Sequence, residues 1–410
     1  MKIFIGTTDI CGLLPLYKKG FELNGYTATT GVISSNQNPY YTNRYDLYLD
    51  NYAKSMASKY SSRLIKSLSF RLANFFEKKN PKKYQKKLID KLIEEHDVFI
   101  FLWSGLSKDD SEYELLKIKN KKIISIFVGS DVRYFKAFKQ HFKVDEWRFP
   151  EDYENETIER TIKKIRIAEK YSDIILSVPD QSLMGLRPYN HFQIPVDTTS
   201  LKFNIPAREI PRVIHAPSRP WLKGTDIIEK TLEKLKDEGV KFEFISIRGM
   251  NNDELKNLLA DADVLIDEII LHGPGVLSFE AMACGCAVAT RYLESSPSCF
   301  KPPIMNINAS NIYQNLKLLL TNKSLRVELA QKARTYVEEN NNPKKITSEI
   351  IKNLVSPQSE YHYYPKFLRV HYESSDINEI ETINNCTKFV QPCSWYNQFI
   401  SKGERDKFSF

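Results

Sequence analysis

Apolar and polar positions change period along this chain, alternating between two kinds of element. Short runs such as KIFIGT (2–7), DVFIFLW (97–103), KIISIFV (122–128) and DIILSV (173–178) are almost continuously apolar and rich in β-branched and aromatic residues. Runs so short read as strands buried on both faces. Between them, apolar residues recur every three or four positions in LLPLYKKGFELNG, ended by Gly25, in SKDDSEYELLKIK and in ETIERTIKKIRIAEKYS. These read as amphipathic helices. Strand–helix–strand alternation predicts parallel sheets with helices on both faces.

The alternation pauses at IPVDTTSLKFNIPAREIP (194–211), a stretch punctuated by Pro and without a period, and then resumes. RVIHAPS, KFEFISI, DVLIDEI and CAVAT read as strands; KGTDIIEKTLEKLKDEG, NDELKNLLADA and a run from about Val276 read as the helices between them. Three closing helices follow Pro303. At 410 residues the chain is too long for one ordinary core. The expected fold is therefore α/β, with two doubly wound Rossmann-like domains facing each other across a cleft. Residues 1–198 form the first domain, 199–211 the linker and 212–355 the second, leaving 356–410 as a Tyr- and Phe-rich extension of unassigned role. In such sheets ligands sit beyond the carboxyl ends of the strands.

Charge changes the picture in one place. From Lys54 to Lys91 twelve Lys or Arg face two acids, Glu77 and Asp90. That segment carries +10 against +8 for the whole chain, so the remainder is −2. Met56, Tyr60, Leu64, Leu68, Leu72, Phe75 and Phe76 are interleaved with the cations in steps of four and three, with Lys59, Arg63, Lys66 and Arg71 around them. Two readings stay open: a helix that packs its stripe on its own domain, and a basic amphipathic helix resting on an anionic membrane. No nucleic-acid module surrounds the segment, so nucleic acid is not an expected partner. The opening MKIFIGTTDI lacks the pattern of a secretory signal. Six cysteines without pairing rhythm suit a reducing compartment. The expected location is the cytoplasm, at the inner face of the cell membrane on the membrane-binding reading of the basic segment. No metal site is expected, since His362, His371, Cys386 and Cys393 match no standard zinc spacing.

The stretch HGPGVLSFEAMACGCAVAT (272–290) carries the chemistry. Gly273 and Gly275 stand between a strand and a helix starting near Val276, a turn that presents free N–H groups and the positive helix end to a phosphate. Glu280 lies one turn further in, suited to accept hydrogen bonds from a ribose diol. The same stretch also fits a plain structural reading, in which small residues simply pack a helix onto a sheet.

At these residues the sequence resembles retaining glycosyltransferases of the GT-B fold, family four, whose pattern there is Glu-Gly-Phe-Gly, four residues, then Glu-Ala-Met-Ala-x-Gly. SRPWLKGTDIIEKTLEKL is similar to the family's element of Arg, three residues, Lys-Gly, so Arg219, Lys223 and Gly224 are implied to hold the donor diphosphate. Gly12, Gly273, Gly275, Val276, Leu277 and Glu280 complete the implied donor site. The family's first Glu is His272 here, which the resemblance puts against the donor sugar. The family's loop His is missing from FVGSDVR, so Asp131 or Arg133 would help position that sugar. The implied activity is transfer of a hexose-like sugar from a nucleotide donor, such as a UDP- or GDP-sugar, to a surface-glycan or lipid-linked acceptor. Retention and independence of metal or other cofactor are implied with it. The alternative is a non-catalytic homologue that keeps nucleotide binding as a scaffold or regulator.

Overall fold

The computed structural model describes residues 1–363 except 34–39, 42–43, 59–62, 108–109, 134, 136–137, 139–157, 184, 186, 206, 295, 298–299 and 357–359. Tyr60, His371, Cys386 and Cys393, and most of the C-terminal extension, lie outside the described residues.

Two parallel sheets organise the chain, as the alternation predicts. The first contains β1 (Lys2–Thr7), β2 (Thr27–Val32), β3 (Leu47–Tyr48), β4 (Val98–Leu102), β5 (Lys122–Phe127), β6 (Ile174–Ser177) and β7 (Asn190–His191), ordered β3-β2-β1-β4-β5-β6-β7. The second contains β8 (Arg212–His215), β9 (Glu243–Ser246), β10 (Val264–Ile266), β11 (Ala287–Thr290) and β12 (Met305–Asn306), ordered β12-β11-β10-β8-β9. The continuous apolar runs occupy the middle of the first sheet, where β1, β4 and β5 are covered on both faces. In both sheets the order reverses beside the first strand, which opens a crevice at the carboxyl ends.

The helices are α1 (Leu13–Leu23), α2 (Tyr52–Ser58), α3 (Arg63–Lys79), α4 (Pro81–Glu95), α5 (Glu112–Ile118), α6 (Ile158–Tyr171), α7 (Pro220–Lys223), α8 (Thr225–Asp237), α9 (Asn252–Leu259), α10 (Val276–Cys284), α11 (Ile312–Thr321), α12 (Lys323–Asn340) and α13 (Pro343–Val355). Asn251, Asn322 and Asn342 start α9, α12 and α13 with side chains that accept first-turn N–H groups. The small residues of α10 do what their size suggests. Ala281, Met282, Ala283 and Cys284 are fully buried against the second sheet. Gly285 ends that helix at φ 97°, and a Cβ there would lie 2.1 Å from the Asn204 carbonyl oxygen. A side chain would have to push the linker away.

Two features tie the halves together. The linker is anchored to the second half by Arg208, which pairs with Asp261 and, at 3.0 Å, with the fully buried Asp263. The last helix, α13, returns to the first half. Asn24, just past α1, donates to the Lys344 carbonyl at 2.8 Å and to Thr347 Oγ1 at 2.9 Å.

One expectation is corrected. The apolar stripe from Met56 to Phe76 does not run along one helix, because Met56 lies in α2 and Leu64 to Phe76 lie in α3.

Candidate functional site

The loops leaving β1, β5, β8 and β10 converge on a cavity of about 710 Å³ between the two sheets. That volume is within the usual range for small-molecule sites. The first domain contributes Cys11, Trp103, Ser130 and Arg133; the second contributes Arg219, Lys223, Asp267, Glu268 and His272, with Gly273, Gly275, Val276 and Leu277. Most of the residues read from the sequence are thus brought to one wall, although Arg219 and Gly275 stand 56 positions apart.

Lys223 is not the bare cation that the sequence suggests. Its ammonium sits 2.8 Å from Asp267 Oδ1 and 2.9 Å from Glu268 Oε2. Burial alone would lower its pKa, but the two carboxylates outweigh that and hold it raised. Asp267 is fully engaged, since Ser278 Oγ donates to its other oxygen at 2.6 Å. Its carboxyl is pushed up by burial yet held below the ordinary range by Lys223. Glu268, in contrast, is net raised, because burial prevails over the same lysine. Its Oε2 takes the Lys223 contact, and the side chain lines the cavity. The triad adjoins the helix start. A Cβ on Gly275 would lie 3.7 Å from Lys223 Nζ and 3.4 Å from Asp267 Oδ2, in ordinary contact with both, and no side chain caps the N-terminus of α10. An ammonium has three donors. Two serve the carboxylates and one remains for a ligand anion.

From the first domain, Arg133 reaches the cavity with its guanidinium clamped on Asp180, at 2.6 Å from Nη2 and 2.9 Å from Nε. Both partners are 5% exposed. It also lies over the Phe138 ring, 5.2 Å from the centroid, and the His272 ring lies 5.2 Å from that same Phe138. Phe138 therefore joins the two residues expected at the sugar. Asp131 is placed otherwise. Its carboxylate accepts the N–H groups of Val128 and Gly129 at 3.1 and 2.9 Å, closing the turn after β5, and it is not among the residues facing the cavity. Burial pushes this carboxyl up to about 6, against the opposing charge of Lys164 and the turn amides.

Glu280 lies one layer behind the wall. Asn252 Nδ2 donates to its Oε2 at 3.1 Å and Lys256 approaches its Oε1 at 3.5 Å. Asn252 also donates to the Tyr41 hydroxyl at 3.1 Å, and Asn252, Tyr41 and Cys11 face the cavity where Glu280 does not. Burial raises the Glu280 carboxyl, with Lys256 and Asn252 pulling the other way. Burial and the nearby Glu280 charge together push the Cys11 thiol up to about 11. Gly12 and Gly224 also stay out of the lining and act as left-handed N-caps, at φ 77° for α1 and φ 75° for α8.

Sequence reasoning missed Asp180, Asn252, Tyr41 and the partnership of Asp267 and Glu268 with Lys223. One signal was available for the last. Two adjacent acids at the carboxyl end of a buried strand require a cation, because burial of unpaired charge is prohibitive.

No protein-family model matches this chain, and no curated protein is significantly similar to it. Solved structures do match. Sucrose-phosphate synthase from Thermosynechococcus elongatus aligns with a TM-score of 0.56 at 12% identity, over 87% of this chain and 100% of that one. An α-glucosyltransferase in complex with UDP and a 13-mer DNA aligns with a TM-score of 0.53 at 11% identity, over 87% of this chain and 100% of its own. Another α-glucosyltransferase structure, with UDP-glucose and DNA containing an abasic site, gives a TM-score of 0.53 at 11% identity, with the same 87% and 100% coverage. The fold shared with these glycosyltransferases is GT-B. At these identities the likeness is one of fold.

Proposed function

We propose that this chain transfers a sugar from a nucleoside-diphosphate sugar, such as a UDP- or GDP-sugar, to a surface-glycan or lipid-linked acceptor, with retention and without metal. The carrying observation is the cluster at the cavity wall. Lys223 lies beside the open N-terminus of α10, with Arg219 on the same rim. Departure of a nucleoside diphosphate concentrates negative charge, and preorganised donors at that point lower the barrier. Arg219 supplies a planar fork for the diphosphate, α10 its free amides, and Lys223 its remaining N–H.

Because Asp267 and Glu268 together balance more than the charge of Lys223, the main attraction for diphosphate falls on Arg219 and the helix end. Glu268, through the oxygen turned away from Lys223, then accepts a donor-sugar hydroxyl, the task for which the resembling family uses the acid replaced here by His272. His272 contacts the sugar from the side of Phe138. Glu280 takes the ribose diol once Asn252 yields it. Retention rests on the family resemblance alone. The free thiols Cys11, Cys284 and Cys286 suit a reducing cytoplasm, where we place the reaction.

A thermal-shift screen against UDP, GDP, ADP and CDP and their sugars tests the reading, since a ligand at 100 times its Kd stabilises by about 2.7 kcal/mol. One nucleotide should stand out, and its sugar should be hydrolysed slowly without an acceptor. Absence of any nucleotide shift would overturn the proposal. Binding with no hydrolysis or transfer would mark a non-catalytic homologue. Glu268→Gln should preserve the shift with the free nucleoside diphosphate and lower turnover.

A further inference from the structure

The basic segment takes no part in the cavity, and its surface is unusual. α4 is anchored, with Leu88, Leu92 and Ile93 buried among Phe4, Phe99 and Leu116 of the first domain. α3 is held through α2, because the Glu77 carboxylate accepts the N–H groups of Tyr52 and Ala53 at 2.8 and 3.0 Å. The side of α3 away from that contact is apolar and largely exposed. Ile65, Leu68, Leu72 and Phe75 are 49%, 60%, 66% and 57% exposed. Steps of three, four and three residues, at about 100° each, put these side chains within an arc of roughly 80°. Of the stripe expected from the sequence, Leu68, Leu72 and Phe75 belong to this ridge, and Ile65 joins them.

Cations frame the ridge. Lys66, Arg71, Lys78 and Lys79 on α3 and Lys82, Lys83, Lys86 and Lys87 on α4 are all exposed. Lys79 Nζ lies 4.5 Å from the centroid of the Phe75 ring, so charge and apolar surface meet directly. Among the described residues no helix is long and apolar enough to cross a membrane.

We propose that α3 and α4 form a docking surface for a bilayer containing anionic lipid. Ile65, Leu68, Leu72 and Phe75 enter the boundary between headgroups and acyl chains, while the lysines lie over the lipid phosphates. Charge complementarity selects this occupant. A second copy of the chain would bring the same positive charge to the ridge. Residues 364–410 carry six acids and six Lys or Arg, so they offer the cations no net counter-charge. A nucleic acid would satisfy the lysines but leave four large apolar side chains in water. Only an anionic membrane answers both halves of the surface. On a cytoplasmic enzyme that surface is the inner leaflet of the cell membrane, where a lipid-linked acceptor would be presented.

The test uses the full chain with vesicles of phosphatidylcholine alone or mixed with phosphatidylglycerol, read by co-sedimentation. Binding is expected only to the mixed vesicles and should weaken as salt screens the lysines. Leu68→Ser with Leu72→Ser should lower the partition coefficient at least about tenfold, because each removes a side chain that would be buried on insertion. Each Lys→Gln change among Lys82, Lys83, Lys86 and Lys87 should lower it about fivefold at low salt. Leu72→Trp should show a blue-shifted emission on mixed vesicles, the signature of insertion. These positions are exposed, so unfolding temperature and the nucleotide thermal shift should not change. Absence of binding to mixed vesicles at low salt would overturn the proposal. So would equal binding by the Leu68→Ser, Leu72→Ser variant, or a wild-type dimer that this variant dissociates. Because nucleotide binding is read in solution, the docking surface and the sugar-transfer reading can fail separately.

Discussion

Replacing Lys223 by Met would keep the apolar body of the side chain and remove its ammonium, leaving Asp267 and Glu268 adjacent at 2% and 4% exposure. Breaking a buried ion pair by deleting one partner costs about 3–5 kcal/mol. Two carboxylates lose the same cation here, so the upper end applies. With about 2–4 °C per kcal/mol for a unit of this size, the second domain should melt roughly 10–20 °C lower near pH 8. The pH dependence follows from the direction of each shift. Burial would lower the Lys223 pKa, but the carboxylates hold it raised, so its contribution persists below its unfolded value and is lost only as strong alkali passes its folded value. Burial raises the Asp267 carboxyl, but Lys223 holds it depressed, so its contribution is present above the ordinary carboxylate range and lost on acidification. Glu268 is net raised by burial, so its ionisation already subtracts stability at neutral pH. Without the lysine both acids are raised, and the variant should lose stability steadily through the window that opens at the ordinary carboxylate range and extends upward, as they give up buried protons. Thermal unfolding followed by circular dichroism at pH values across that window measures the effect. The triple change Lys223→Met, Asp267→Asn, Glu268→Gln should recover most of the loss, because neutral groups need no cation. A Lys223→Met protein that melts with wild type near pH 8, or that loses the same amount at every pH, would refute the triad as a coupled buried unit.

Glu280→Gln should weaken nucleotide binding by about 1.5–3 kcal/mol, the worth of a charge-assisted hydrogen bond, and calorimetry showing unchanged affinity would remove it from the donor site. Arg219→Ala should reduce affinity for the nucleoside diphosphate far more than for the nucleoside; equal losses in the two titrations would assign it to folding. His272→Ala should lower turnover while leaving nucleoside-diphosphate affinity nearly intact, and unchanged kinetics with every donor would exclude a sugar contact. Gly285→Ala should lower the melting temperature by an amount equivalent to about 1–3 kcal/mol or more, since the new Cβ meets the Asn204 carbonyl 2.1 Å away in a left-handed backbone. A melting temperature equal to wild type would show that the linker gives way freely.

What the sequence determined by itself were the properties written in local period and composition. Continuous apolar runs could only be covered strands, so β1, β4, β5 and β6 and the restart at β8 were legible, and with them the two parallel sheets. The helix after Gly275 was legible too, because a glycine turn followed by small residues has few other uses. The polar strand TATTGV, which became β2, and the two-residue edges β3 and β7 were not, because short or Thr-rich segments acquire strand character only from the neighbour they pair with. The same limit governed the site. The sequence supplied Lys223 as a cation at a helix turn, but its partners are 44 and 45 positions away, and only the register of β8 beside β10 brings them within 3 Å. Tyr41 and Asn252 meet across 211 positions in front of Glu280, a contact that the closure of the two halves alone creates. Likewise the basic stripe was visible as a pattern, whereas its exposure was decided by which side of α3 met α2. Local chemistry sets what a residue is able to do; long-range packing decides which partner it does it with, because desolvation and charge pairing depend on distance in space.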